Sequence, residues 1–385
     1  MRPASSSESR VPGPVHRTAV VHDWLNGMRG GERVLEAILP LLPDPVIFTL
    51  FHVPGSVSRG IERYRIRPSY LNELPGAARH YRQYLPLFVR GVESFDLSSF
   101  DLVVSSSHCV AKGAVAPPGV PHLCYCHTPV RYAYEQFDTY FPRGKTRFLT
   151  LKRFFVGRLR EWDQKTAGRP TRYLANSSAV AERIRRHYGR ESRVVHPPVD
   201  VEFFQPGPER REDFLLAVGS LVPYKRFELA IEAARRTGRR LVLVGRGPQE
   251  EGLRAMAGAS VDFARNLLPE QLRSLYRTCG LFVQPGEEDF GIASVEALAC
   301  GAPVVALERG GVRDIVSDGV NGVLYSEESA EGLAAALERA SSMRFDYTAL
   351  RDSAVPFGKE RFTGEFLREL EDLLGTPGRW TKAEG

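Results

Sequence analysis

The sequence predicts an α/β protein built from two Rossmann-like, doubly wound parallel-sheet domains facing each other across a cleft. Three observations lead there. A chain of 385 residues is longer than a single core accommodates and suits two domains. From Asp213 onward, short continuous apolar runs alternate with stretches of helical period, as in FLLAVGSL, FELAIEAARRTG and RLVLVGRGP. Strands that are apolar at every position are strands buried on both faces, which is the signature of a parallel sheet covered by helices. Finally, glycine, histidine, lysine and acids cluster just after these runs, at the sheet edge where open α/β sheets take their ligands.

Taken in order, the chain opens on MRPASSSESRVPGPVHR, which lacks an apolar core and reads as a disordered leader (1–17) rather than a signal peptide. The first domain is expected over 18–195, with strands in TAVVHDW, VIFTLF, LVVSSSH, HLCYCH and TRYLANS and longer insertions between them. Val194 to Asp213, rich in proline and without periodicity, is expected to link the domains. The second domain, 196–355, continues as SVDFAR, PEQLRSLYRTC, LFVQP, GIASVEALACG, PVVALE and GVRDIVSDG. A last helix, GKERFTGEFLRELEDLLG within 356–375, follows a break at Pro356 and Gly358 and is placed to cross back onto the first domain.

Composition narrows the function classes. The longest apolar stretch, Ala37 to Val53, is broken by Pro40, Pro43, Asp44 and Pro45, so it cannot span a bilayer. Five cysteines, mostly inside apolar runs, point to reduced thiols and a cytoplasmic protein. The net charge of +6 leans towards anionic partners such as phosphates or nucleotides. A nucleic-acid-binding surface would need an exposed sheet with interleaved aromatics, and these strands read as buried.

The motifs after the strands carry the chemistry. GMRGGE, Gly27 to Glu32, lies between a strand and a helix, so its glycines let backbone amides approach a phosphate at a positive helix end. YKRF sets Lys225 and Arg226 at a helix start, where a cation is unfavourable unless an anion joins it. GRGPQE has Glu250 where a dinucleotide fingerprint needs a third glycine, which argues against a nicotinamide or flavin site. CYCHTP has no second Cys or His pair at ligand spacing, so a zinc site is not expected, and His127 is left as a strand-end polar group facing the cleft. In QPGEEDFGIASVEALACGAPVV, Glu287, Glu288 and Asp289 precede a helix start at Gly291 and Ile292, and Glu296 follows one turn in. Carboxylates beside free helix-start amides suit a ligand rich in hydroxyls, such as a sugar.

EDFGIASVE, Glu288 to Glu296, resembles the E-x7-E signature of the family-4 retaining glycosyltransferases with the GT-B fold. GGVRDIVSDGVNGVLY, LVPYKRFELAIEA, VGRGPQ, CHTPVRYAYE, HDWLNGMRGGERVLEA and SSSHCVAKG resemble the same family in the same order, over residues 18 to 375. The resemblance implies an acceptor-binding first domain and a nucleotide-sugar-binding second one. It implies catalytic roles for His127 and Glu288, and a donor-sugar site of Glu288, Asp289, Phe290, Gly291 and Ile292. Gly30, Gly31, Lys225 and Arg226 would meet the diphosphate, while Gly245, Arg265, Leu267 and Glu296 would hold the nucleoside. Many members carry Arg where this chain has Ser220, which removes one bidentate phosphate partner and leaves either Arg226 or Arg246 as a substitute or a lower donor affinity. The absence of a D-x-D motif implies no metal and no cofactor beyond the nucleotide-sugar co-substrate.

The combination of EEDFGI, YKR and CHTP resembles mannosyltransferases of surface-polysaccharide synthesis, which implies GDP-mannose, with a UDP-hexose next. The implied acceptor is a saccharide, a lipid-linked or a small-molecule acceptor. A GT-B nucleotide-sugar epimerase is the alternative within the same architecture. Pro142 to Arg160 holds seven basic residues, no acid and interleaved Phe and Leu. It reads equally as a peripheral contact with an anionic membrane or as a helix packed on the first domain.

Overall fold

Two all-parallel sheets organise the chain in a computed structural model that describes residues 15–134 and 147–376. The leader is thus largely outside the described residues, as is the start of the basic stretch. The first sheet holds seven strands: β1 (Thr18–His22), β2 (Pro45–Thr49), β3 (Arg65–Pro68), β4 (Leu102–Ser107), β5 (His122–Cys126), β6 (Arg172–Ala175) and β7 (Arg193–Val194). Their order across the sheet is β3-β2-β1-β4-β5-β6-β7. The second holds β8 (Phe214–Val218), β9 (Arg240–Val244), β10 (Val261–Ala264), β11 (Leu281–Gln284), β12 (Val304–Leu307) and β13 (Gly322–Tyr325), in the order β10-β9-β8-β11-β12-β13. In each sheet the winding direction reverses beside the first strand, between β1 and β4 and between β8 and β11. Such reversals open a crevice at the carboxyl ends of the strands.

The expected two-sheet α/β architecture is observed, and burial explains why its strands read as unbroken apolar runs. In β1, Ala19 and Val21 join one core cluster while Val20 joins another on the opposite face. The second sheet repeats this, with Leu216, Val242 and Val244 on one face and Leu215, Leu241 and Leu243 on the other. Three edge strands, β3, β7 and β13, escaped the sequence reading, the first two for the converse reason. β3 is Arg-Ile-Arg-Pro, half exposed, and β7 is two residues long, so neither forms an apolar run. GVRDIVSDG, expected as a regular element, is a single 3-10 turn over Gly311–Asp314 followed by irregular chain.

The chain passes between the sheets twice. Residues 195–213 lead from the first to the second, and Val199 bridges in parallel to Gly358, where the chain returns. The helix Lys359–Leu374 then lies on the first sheet, with Phe362, Phe366, Leu370 and Leu374 buried against Val20, Leu35, Tyr125 and Leu174. Its outer acids pin the edge: Arg172 sits 3.1 Å from Glu369 and 2.8 Å from Asp372, and Arg193 sits 3.0 Å from Glu369. In the basic helix Arg147–Lys165, Val156 and Leu159 pack inward, whereas Phe154 is 61% and Phe155 37% exposed. The inward packing and the outward aromatic pair are therefore both present on that helix.

Candidate functional site

The loop after β1 and the residue after β5 meet at the first sheet's carboxyl edge. The helix Gly30–Ile38 is entered through Arg29, whose amide donates to Glu32 Oε2 at 2.9 Å and closes the first turn. His127 follows β5 directly. Its amide donates to the Ser107 carbonyl at 2.8 Å, its Nε2 lies 2.8 Å from Ser106 Oγ, and its carbonyl accepts from Asn176 Nδ2 at 2.9 Å. A Cβ placed on Gly31 would stand 3.6 Å from His127 Nε2, and one on Gly30 would stand 3.1 Å from Ile292 Cδ1 of the second domain. The glycine loop, the strand-end histidine and the start of the second-domain helix thus share one cleft.

Three histidines line this floor. His22 and His108 have ring centroids 6.0 Å apart, and His108 and His127 6.2 Å apart. His22 Nδ1 is 3.1 Å from the same Ser106 hydroxyl that meets His127. Burial pushes His127 well below the usual imidazole range, and charge on His108 or His22 would push it further. Burial likewise lowers His108, although Asp23 at 3.3 Å pulls the other way. Burial alone would raise the Glu32 carboxyl, but His22 and His108 leave it lowered on balance. His108 and His127 are therefore held as neutral imidazoles at neutral pH, beside the buried Glu32 carboxylate.

Opposite, the acid loop runs from the end of β11 to the helix Ile292–Ala299. Gly291, at φ +108°, turns the chain into that helix, and a Cβ there would stand 2.8 Å from Gln284 Oε1. The Gly311 amide donates to the Glu288 carbonyl at 2.9 Å and fixes the loop. Glu288 Oε1 is 2.5 Å from Lys225 Nζ. Glu296, nearly fully buried, accepts from Tyr276 Oη at 2.9 Å and from Arg33 Nη1 of the first domain at 2.6 Å. Gly245 approaches so closely that any Cβ there would overlap the Gly219 carbonyl oxygen.

The structure brings together Gly30, Gly31, His127, Lys225, Glu288, Ile292 and Glu296, and it places other expected site residues differently. The carboxylates expected to be free for hydroxyls are all paired. Glu287 and Asp289 are both clasped by Arg183 of the first domain, and the Asp289 carbonyl accepts from Ser177 Oγ at 2.5 Å. Asp289 thus joins the two domains. Arg226 has a left-handed backbone, φ +52°, and its guanidinium is paired with Glu228 and Glu328. The Phe290 ring stacks on His196, with centroids 5.4 Å apart, and only its backbone is left to face a ligand. Arg265 is 63% exposed and 3.7 Å from Glu250, while Leu267 packs against the second-domain core.

Sequence reasoning missed the first-domain partners: Arg33, Arg131 and Arg183, and the Asp23 carboxylate beneath the histidines. Asp23 follows β1 in HDW and was visible as a lone acid after an apolar run. The arginines gave no such signal, because each meets its partner across more than 100 residues of sequence.

Comparison with known proteins accords with this arrangement. Residues 29–203 match the family described as Glycosyltransferase Family 4, and residues 199–360 match Glycosyl transferases group 1. Among curated proteins, the D-inositol 3-phosphate glycosyltransferase of Geodermatophilus obscurus is 35% identical over 215 residues, 47% of this chain and 48% of that protein. The protein of the same name from Mycobacterium tuberculosis is 30% identical over 189 residues, 43% of this chain and 39% of its own. The chain therefore spans about half or less of the length of the curated relatives it matches. Among solved structures, sucrose-phosphate synthase from Thermosynechococcus elongatus superposes with a TM-score of 0.70 at 18% identity, covering 94% of this chain and 99% of its own. Anabaena HepE, in complex with UDP and glucose, superposes at 0.68 with 17% identity over 92% of this chain and 99% of its own. Likeness at that identity speaks for the fold.

Proposed function

We propose that this chain transfers a hexose from a nucleoside diphosphate sugar to an acceptor hydroxyl, a reading supported by the match of residues 29–203 to Glycosyltransferase Family 4 and of residues 199–360 to Glycosyl transferases group 1. The observation that carries the proposal is the meeting of Gly30, Gly31 and His127 with Lys225, Glu288 and Glu296 across one cleft. Glu288 accepts donor-sugar hydroxyls once Lys225 turns to the diphosphate. Neutral His127 offers one ring nitrogen as donor and one as acceptor beside the reacting carbon. Glu296 takes the ribose hydroxyls in place of Arg33.

The transfer is proposed to retain anomeric configuration. The bond from the anomeric carbon to the diphosphate breaks, the acceptor oxygen bonds on the same face, and its proton passes to the departing phosphate oxygen. The positive charge of Lys225 and the helix-start amides of Gly30 and Gly31 stabilise that oxygen, so the reaction is proposed to need no metal ion. Mannose from GDP-mannose is the donor we propose, on the resemblance of EEDFGI, YKR and CHTP, with a UDP-hexose as the second reading. The name of the curated relatives favours a small-molecule acceptor over a lipid-linked one.

No helix among the described residues is long and apolar enough to cross a membrane. The outward Phe154 and Phe155, on a helix bearing Lys152, Arg153 and Arg158, support a proposed peripheral contact with an anionic bilayer. Phe154→Ser should then reduce co-sedimentation with vesicles containing phosphatidylglycerol, and equal sedimentation would remove the contact.

Calorimetric titration with GDP, UDP, GDP-mannose and UDP-glucose, with and without magnesium, tests the function. One base pair-set should bind in both conditions, and Glu296→Gln should weaken it by about tenfold or more, as expected for a lost charged hydrogen bond. If none of the four binds the wild-type protein, the reading is wrong.

A further inference from the structure

Arg131 is a buried cation with donors to spare. It lies in the short turn after His127, its side chain is 9% exposed, and its guanidinium carbon sits 4.7 Å over the Tyr224 ring. Its Nη1 donates to the Glu287 carbonyl at 3.3 Å. Its ionic contacts are long, 3.6 Å to Asp289 and 3.9 Å to Glu287. Both carboxylates are held more closely by Arg183. The buried Nε of Arg131 has no acceptor among the described residues. A guanidinium in a fold normally uses its planar fork in paired bonds, and burying it with donors unused is unfavourable unless a further anion arrives.

The neighbours say which anion. Tyr224, under the guanidinium, precedes Lys225, whose ammonium meets Glu288. Glu288 also acts on the Arg131 charge, so an anion that draws Lys225 away from Glu288 would enter within reach of Arg131. The turn leading to Lys225, Ser220 to Tyr224, carries no cation of its own, and Arg226 after it is paired with Glu228 and Glu328. A single lysine balances poorly a leaving group that gains charge as its bond to the sugar breaks.

We infer that Arg131, supplied by the first domain, is the second cation on the diphosphate of the donor, doing from across the cleft what the Ser220 turn does not do within the second domain. The inference rests on the glycosyl-transfer reading above. In the donor complex the guanidinium fork keeps its place over Tyr224 and exchanges its long contacts with Asp289 and Glu287 for two phosphate oxygens. When the anomeric carbon–oxygen bond breaks and the electron pair stays with the diphosphate, Arg131 and Lys225 share the new charge. Closure of the two domains thereby completes the site, because one cation comes from each.

Binding of GDP, guanosine, UDP and uridine to wild type, Arg131→Met, Arg131→Lys and Arg131→Met/Ser220→Arg tests this. Removing a charge-assisted pair should weaken the preferred diphosphate by about 10–100-fold and leave its nucleoside unchanged. Arg131→Lys, which keeps charge but not the fork, should fall between, and Ser220→Arg should recover part of the loss. Equal weakening of nucleoside and diphosphate would mean that Arg131 only holds the domains together, and an unchanged diphosphate affinity would overturn the inference outright. Should Arg131→Met not fold, Arg131→Lys decides by the same comparison. Wild-type protein that binds neither GDP nor UDP would sink the function itself, a different outcome from wild-type binding that Arg131 does not influence.

Discussion

At Asp23 one carboxylate does the work of a whole turn. Its two oxygens accept from the amides of His108, Cys109, Val110 and Ala111 at 2.7–2.9 Å, capping the chain as it leaves β4. Asn in its place can accept on one oxygen only and turns an amide donor on two others. Asp23→Asn should therefore cost about 2–4 kcal/mol of stability, read as a lower urea midpoint with unchanged slope. His122 gives a pH prediction. Burial, aided by the charges of Lys112 and Arg169, pushes its imidazole down to about 3. An unfolded chain protonates histidine near about 6.5, so below that pH the unfolded state holds the extra proton and stability falls. His108 and His127 are lowered too and act in the same direction. His122→Gln should flatten the wild-type loss between pH 6.5 and 5 by up to about 1.4 kcal/mol per pH unit, and an identical slope would refute the assignment. Glu288, Glu296 and Lys225 were legible in the sequence because acids and cations beside helix starts demand an explanation. Arg33 and Arg183 were not, because an arginine on a helix face is ordinarily solvated and only the folded chain shows what it meets.

At the scale of elements, the helix Lys359–Leu374 shows how much a simple period reveals. Phe362, Phe366, Leu370 and Leu374 recur every four residues, so one stripe was bound to be buried, and it seals the first sheet. The sequence could indicate the return crossing but not the surface that receives it, since that is assembled from strands more than 180 residues earlier. Phe366→Ala should cost about 3–5 kcal/mol, the usual cost of emptying a fully buried aromatic site. Hydrogen exchange should place that loss in the first sheet, with β1 and β5 exposed and the second-domain strands still protected. β3 and β7 mark the opposite limit, where short edge strands leave no periodic trace for a reader to find.

At the scale of the whole molecule, Arg183 holds Glu287 and Asp289 while Asp314 accepts from the Ser178 amide at 2.7 Å and lies 3.1 Å from His196. These contacts tie the first domain to the acid loop. Arg183→Ala leaves two carboxylates without their nearest cation and should open the cleft. Amide exchange in residues 286–291 and 177–183 should accelerate, and donor KM should rise more than kcat falls. An exchange pattern identical to wild type would show that the clasp does not set the spacing of the domains.

The return of the last helix to the first sheet has a consequence for the order in which the protein is made. A ribosome releases residues 18–194 long before Phe362 and Phe366 exist, so the first sheet must wait with its Val20, Leu35 and Tyr125 face bare. The second domain, continuous in sequence, can finish during that wait. The cover of the domain begun first is thus made after the whole second sheet, and a truncation that removes Phe362 to Leu374 injures the first-sheet domain.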